Sequence, residues 1–73
     1  MNPLAEFSKR RYSSLDRIER KRIENYVLKI RGYDMGSKLI KTMDNVGCRK
    51  TTLTVVSVFN RAEEYHRRQR EED

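Results

Sequence analysis

The stretch Met43-Asp44-Asn45-Val46-Gly47-Cys48-Arg49-Lys50-Thr51-Thr52-Leu53-Thr54-Val55-Val56-Ser57-Val58-Phe59 separates two apolar patterns. Before it, Met35, Leu39, Ile40, Met43 and Val46 recur at helical spacing on one side. Gly47 interrupts that pattern, Arg49-Lys50-Thr51-Thr52 follow, and a new apolar run starts at Leu53.

A helix, a glycine-containing turn and a second helix opening on basic and hydroxyl side chains is the layout of a helix-turn-helix. Gly47 takes the place of the turn glycine, and Leu53 and Val56 take the inward positions of the second helix. Met43 falls where a small residue usually lets two helices touch, which puts close packing at that point in question.

Outward from this core the chain is short. Its 73 residues hold one small domain, and 38% charged against 36% hydrophobic residues leave a modest core. The net charge of +6 comes from clustered cations, which favours a polyanion or an acidic protein surface as partner. No apolar run reaches the roughly 18 to 20 residues of a membrane span. Pro3, Glu6 and Lys9-Arg10-Arg11 stand where a signal peptide needs an apolar segment, so a cytoplasmic protein is expected.

Residues 1–12 read as a flexible basic arm, with Leu4 and Phe7 outside any periodic pattern. Ser13 to Arg31 is the clearest helix, with Ser13 as cap and Asp16 three residues on. Ile23, Tyr26, Val27 and Ile30 form its stripe, with Leu15 and Ile18 slightly rotated. Asp16 with Arg20 and Glu19 with Arg22 are expected pairs on the wet side, and Gly32 is the stop. A second helix over Tyr33 to Val46 has Asp34 or Ser37 to cap it, and Gly36 weakens its first turn.

Thr51 to Phe59 is rich in β-branched residues and has strand propensity. Helical stripes nevertheless run through it, either Leu53, Val56 and Asn60 or Val55, Val58, Phe59, Ala62 and Tyr65. A lone strand would leave its backbone groups without a ladder, so a helix to Arg70 is expected, a strand being tenable only beside a partner chain. The fold class that follows is all-α. It is a small three-helix bundle over residues 13–66 with a helix-turn-helix-like arrangement, a flexible basic N-terminal arm and a charged C-terminal tail at 67–73.

No catalytic set is present. Cys48 and His66 stand far apart in the pattern, the three glycines form no phosphate loop, and one cysteine with one histidine makes no metal-ligand set. The expectation is a binding protein without cofactor, metal or small-molecule substrate. In a DNA reader of this layout Arg49, Lys50, Thr51, Thr52 and Thr54 would open the second helix and face the major groove. Lys38, Lys41 and Lys9-Arg10-Arg11 would take phosphates. RNA binding by the same basic surface is a third class.

The head Asn2-Pro3-Leu4-Ala5-Glu6-Phe7-Ser8-Lys9-Arg10-Arg11-Tyr12, the basic helical core and the charged tail carry a resemblance along the full 73 residues. In these features the chain resembles the small phage-encoded RNA polymerase-binding transcription regulators of the Xanthomonas phage Xp10 type. The resemblance implies binding to the β′ subunit of the host bacterial RNA polymerase, displacement of the sigma factor with inhibition of initiation, and antitermination. Phe7, Lys9, Arg10, Arg11 and Tyr12 are then the expected polymerase-binding arm. The alternative expectation is a sequence-specific DNA-binding helix-turn-helix repressor.

Overall fold

The computed structural model of the chain describes residues 2–71. Among these the elements are α1 (Pro3–Glu6), a 3-10 turn (Tyr12–Ser14), α2 (Arg17–Arg31), α3 (Tyr33–Arg49) and α4 (Val55–Glu71). The all-α bundle stands, its three long helices α2 to α4 joined by a one-turn α1. The closing acids Glu72 and Asp73 lie outside the described residues.

Local chemistry sets most of the boundaries. Asn2 caps α1 by accepting from the Ala5 N–H at 3.2 Å, with Pro3 at the first helical position where its missing N–H costs nothing. At the start of α2 the Asp16 carboxylate accepts from Glu19 N–H at 2.8 Å, and the Glu19 carboxylate accepts from Asp16 N–H at 3.0 Å. This reciprocal box displaces the expected Ser13 cap, because it satisfies two orphan donors at once. Residues 12–14 form the 3-10 turn instead. Gly32, at φ 84°, ends α2 and begins α3, and a left-handed angle of this kind is easy only for glycine.

α3 lies in the middle, packed on α2 along one side and α4 along the other. Ile23 and Val27 of α2, Leu39 and Met43 of α3, and Val55, Val58, Phe59 and Ala62 of α4 are buried. Met43 is therefore a core residue, and the close approaches fall on glycines. A Cβ at Gly36 would stand 2.9 Å from Leu28 Cα, so Gly36 lets α2 and α3 meet.

Gly47 is the largest departure from expectation. It is not in a turn: α3 runs through it to Arg49, past the expected end at Val46. The Tyr12 ring occupies the space a side chain would fill, with Cδ1 only 2.2 Å from where a Cβ would sit. The turn lies at residues 50–54, and α4 begins at Val55.

The β-branched run divides accordingly. Thr54 makes a single antiparallel bridge with Arg11, and Val55 onward is helix. A valine costs a helix up to about 0.7 kcal/mol relative to alanine. Burying one contributes about 1.5 kcal/mol or more, so packing outweighs propensity at Val55 and Val58. The inward stripe is Val55, Val58, Phe59 and Ala62, while Val56 is 42% exposed and Leu53 only partly covered.

The arm expected over residues 1–12 is folded into the core from Pro3 onward. Phe7 is 6% and Tyr12 3% exposed, and Leu15 is buried beside them. Arg22 donates to Glu6 at 2.8 Å and Arg10 pairs with Glu19, tying this segment to α2. Glu19 and Arg22 also attract one another, as expected, and Asp16 is engaged instead in the capping box at the start of α2. The tail from Arg67 to Glu71 continues α4.

Gly47→Ala separates the two readings of this glycine by sign. At an exposed helical site alanine would stabilise by about 1 kcal/mol. Against the Tyr12 ring it is expected to destabilise by about 1–3 kcal/mol in urea unfolding.

Candidate protein and nucleic-acid interface

The five residues expected to form a polymerase-binding arm divide into buried and exposed sets. Phe7 is enclosed, with the guanidinium groups of Arg22 and Arg10 at 5.2 and 5.8 Å from its ring centre. Tyr12 donates its hydroxyl hydrogen to Asp44 of α3, and the Arg20 guanidinium stands 5.7 Å from its ring centre. Neither ring is available to a partner, which corrects the expectation that they dock. Lys9, Arg10 and Arg11 are exposed, with Arg10 held by Glu19.

The nucleic-acid-facing set is also rearranged. Arg49 is the last residue of α3, Lys50 its C-cap, and Thr51 and Thr52 form the turn. Thr54 caps α4, its Oγ1 accepting from Ser57 N–H at 3.3 Å. These residues precede α4 rather than open it. The other first-turn donors of α4 are also engaged: Val55 N–H donates to Arg10 O at 2.8 Å and Val56 N–H to Ser8 O at 3.4 Å. A helix N-terminus attracts phosphate through free N–H groups, and here the N-terminal segment has taken them.

The same pairing brings both expected sets to one end of the molecule. Tyr12 N–H donates to Leu53 O at 3.0 Å, and Ser13 Oγ donates to Thr51 O at 2.8 Å. Lys9, Arg11, Lys50, Thr51 and Thr52 are exposed on these neighbouring segments. The sequence treated them as alternative surfaces; the fold makes them adjacent.

Between the second half of α3 and the exposed side of α4 lies a cleft of about 770 Å³. Lys41, Arg49 and Lys50 line it, together with Asn45 and Arg61, and with Tyr65, which was expected on an apolar stripe and is instead 53% exposed. Its single carboxylate, Glu64, is taken by Arg67 and Arg68. Lys41, Arg49, Lys50 and Arg61 have no carboxylate partner among the described residues. Lys38 is exposed farther along α3, its carbonyl accepting from Thr42 Oγ1 at 3.0 Å. The additional residues had a signal: Asn45 recurs at four-residue spacing with the expected Lys41 and Arg49, and Tyr65 stands four residues from Arg61.

Four of the acids, Glu6, Glu19, Glu63 and Glu64, are engaged by arginines within the chain. Glu6 is held below the usual carboxylate range chiefly by its hydrogen bond from Arg22, and Glu19 by the Asp16 N–H and then Arg10. Arg31 donates to Glu63 at 2.6 Å.

Cys48 is exposed on the last turn of α3. His66 sits on α4, its Nε2 2.7 Å from Thr42 Oγ1 and 3.2 Å from Lys38 O. Among the described residues no helix is long and apolar enough to cross a membrane. Compared with known proteins, the chain matches no family model, no curated protein and no solved structure.

Burial, reinforced by the Asp44 carboxylate, opposes ionisation of Tyr12 and pushes its pKa far above the ordinary value near 10. The folded protein therefore keeps a proton that the unfolded chain releases. This contribution to stability is complete below about pH 10 and is lost as pH rises further. Tyr12→Phe is expected to lose about 1–3 kcal/mol at neutral pH and to show a shallower alkaline loss than the parent, read by urea unfolding between about pH 7 and 11.

Proposed function

We propose that this chain is a small transcription regulator that binds bacterial RNA polymerase in the bacterial cytoplasm, inhibiting initiation and promoting antitermination. The observation that carries this reading is the apolar start of α4. A sequence-reading helix enters the major groove with its first turns. Here α4 opens Val55-Val56-Ser57-Val58-Phe59, with Val55, Val58 and Phe59 buried and no charged side chain to read a base edge before Arg61. What remains exposed at that end is a firm basic surface, Lys9, Arg11 and Lys50 beside Thr51 and Thr52. Such a surface suits an acidic patch on a protein, where charge complementarity steers encounter and fixes orientation. The β′ subunit as target is what the resemblance to the phage regulators implies.

The engagement differs from a loose arm entering a pocket. Because Phe7 and Tyr12 support the core, the contact is made by a preformed surface, which avoids the ordering cost of a disordered segment. The second reading, an operator-binding repressor, draws support from the same positive charge. The apolar start of α4 counts against it.

The discriminating experiment is capture from a nuclease-treated bacterial lysate with the tagged protein, followed by binding to purified polymerase. Polymerase subunits are expected in the bound fraction without nucleic acid. The double variant Lys9→Glu with Arg11→Glu is expected to fold normally and weaken polymerase binding about tenfold or more, mostly through slower association. Polymerase left in the flow-through, with DNA recovered from untreated lysate, would favour the repressor.

A further inference from the structure

We infer that the cleft between α3 and α4 is a binding site for a single strand of RNA. Lys41, Arg49, Lys50 and Arg61 would hold the phosphates, and Tyr65 would stack a base. The inference stands on the cleft alone and does not depend on polymerase binding.

Three features of the cleft point to this ligand. Five cations line the cleft, and four of them, Lys41, Arg49, Lys50 and Arg61, have no carboxylate partner among the described residues. Cations arranged in this way track a phosphodiester backbone, whereas a compact anion would need convergent donors. The cleft also carries an aromatic platform. Tyr65 is 53% exposed although it belongs to a packed helix. It meets the His66 ring at 5.1 Å in an edge-to-face arrangement, and His66 is fixed in turn by Thr42 and the Lys38 carbonyl. Tyr65 is thus buttressed from behind, and a preset ring loses little freedom when a base stacks on it. A positive groove with a stacking aromatic is how single strands are bound without base-edge readout.

The lining refines the ligand. Asn45 and Asn60 are exposed in the lining, and each amide can both donate and accept. The ribose 2′-hydroxyl also donates and accepts, which favours RNA over DNA of the same sequence.

The test is fluorescence anisotropy of the purified full-length protein, with no polymerase present, so its outcome is separate from that of the polymerase reading. The probes are a labelled single-stranded RNA of mixed sequence, about 12 nucleotides long, within the site sizes of small single-strand binders, the DNA of the same sequence, and the RNA duplex. The RNA single strand is expected to bind most tightly, with a salt slope that corresponds to about three or four neutralised phosphates. Tyr65→Ala is expected to weaken binding about tenfold. Arg49→Glu with Arg61→Glu is expected to abolish binding at moderate salt. Lys29→Glu, a charge change on α2 outside the cleft, should have little effect. Circular dichroism confirms that each variant is folded. No binding by the parent protein, equal affinity for the duplex or the DNA, or equal losses from Lys29→Glu and the cleft variants would each overturn the assignment.

Discussion

The contact on which the rest of this structure depends is the Tyr12 ring lying in the space left by Gly47. One face of α3 has no side chain there, and the ring fills it while its hydroxyl reaches Asp44. The contact holds residues 8–13 beside residues 51–56, where their carbonyl and amide groups complete the α3–α4 turn and the start of α4. A helix start normally relies on its own cap or on water for its first donors. Here a segment from the other end of the chain does that work, so the N-terminal residues are structural before they are anything else.

The parts legible in the sequence are those governed by local pattern. Ile23 and Val27, and Leu39 and Met43, repeat four residues apart and are buried as that spacing requires. Gly32 ended a helix as read, because a positive φ and a stop signal coincide there. Gly47 was misread because one letter serves two purposes, freedom of backbone angle and absence of a side chain. Only the identity of its neighbour decides between them, and that neighbour lies far away in sequence. The run from Leu53 to Phe59 offered two stripes, and the choice between them moved with the position of the turn. Beyond the Asn2 cap and Pro3 that open α1, the N-terminal segment is ordered by distant contacts, which leave no periodicity in the sequence. In the candidate surface, the cations of α3 were legible from their identity, and their convergence with Arg61 and Tyr65 required the correct register of α4.

The distribution of charge has the same logic. Four carboxylates, Glu6, Glu19, Glu63 and Glu64, are engaged by arginines within the chain. Exposed pairs of this kind add little stability individually. Their larger effect is on the field outside, because the acids that could neutralise neighbouring cations are already committed. Excess positive charge is therefore left at the turn end and along the α3–α4 cleft, as well as on α2 at Arg17, Lys21 and Lys29.

The pairing of Ser13 with Thr51 spans 38 residues, more than half the chain. Closing so wide a loop carries its entropic cost before most of the packing that offsets it has formed. The order of synthesis therefore runs against the order of assembly. Residues 8–13 leave the ribosome first, yet they find their places only after residues 51–56 have followed. Until then the carbonyls of Ser8 and Arg10 lack the α4 donors they accept from. The N-terminal segment therefore reaches its native pairing only after the α3–α4 turn has been made.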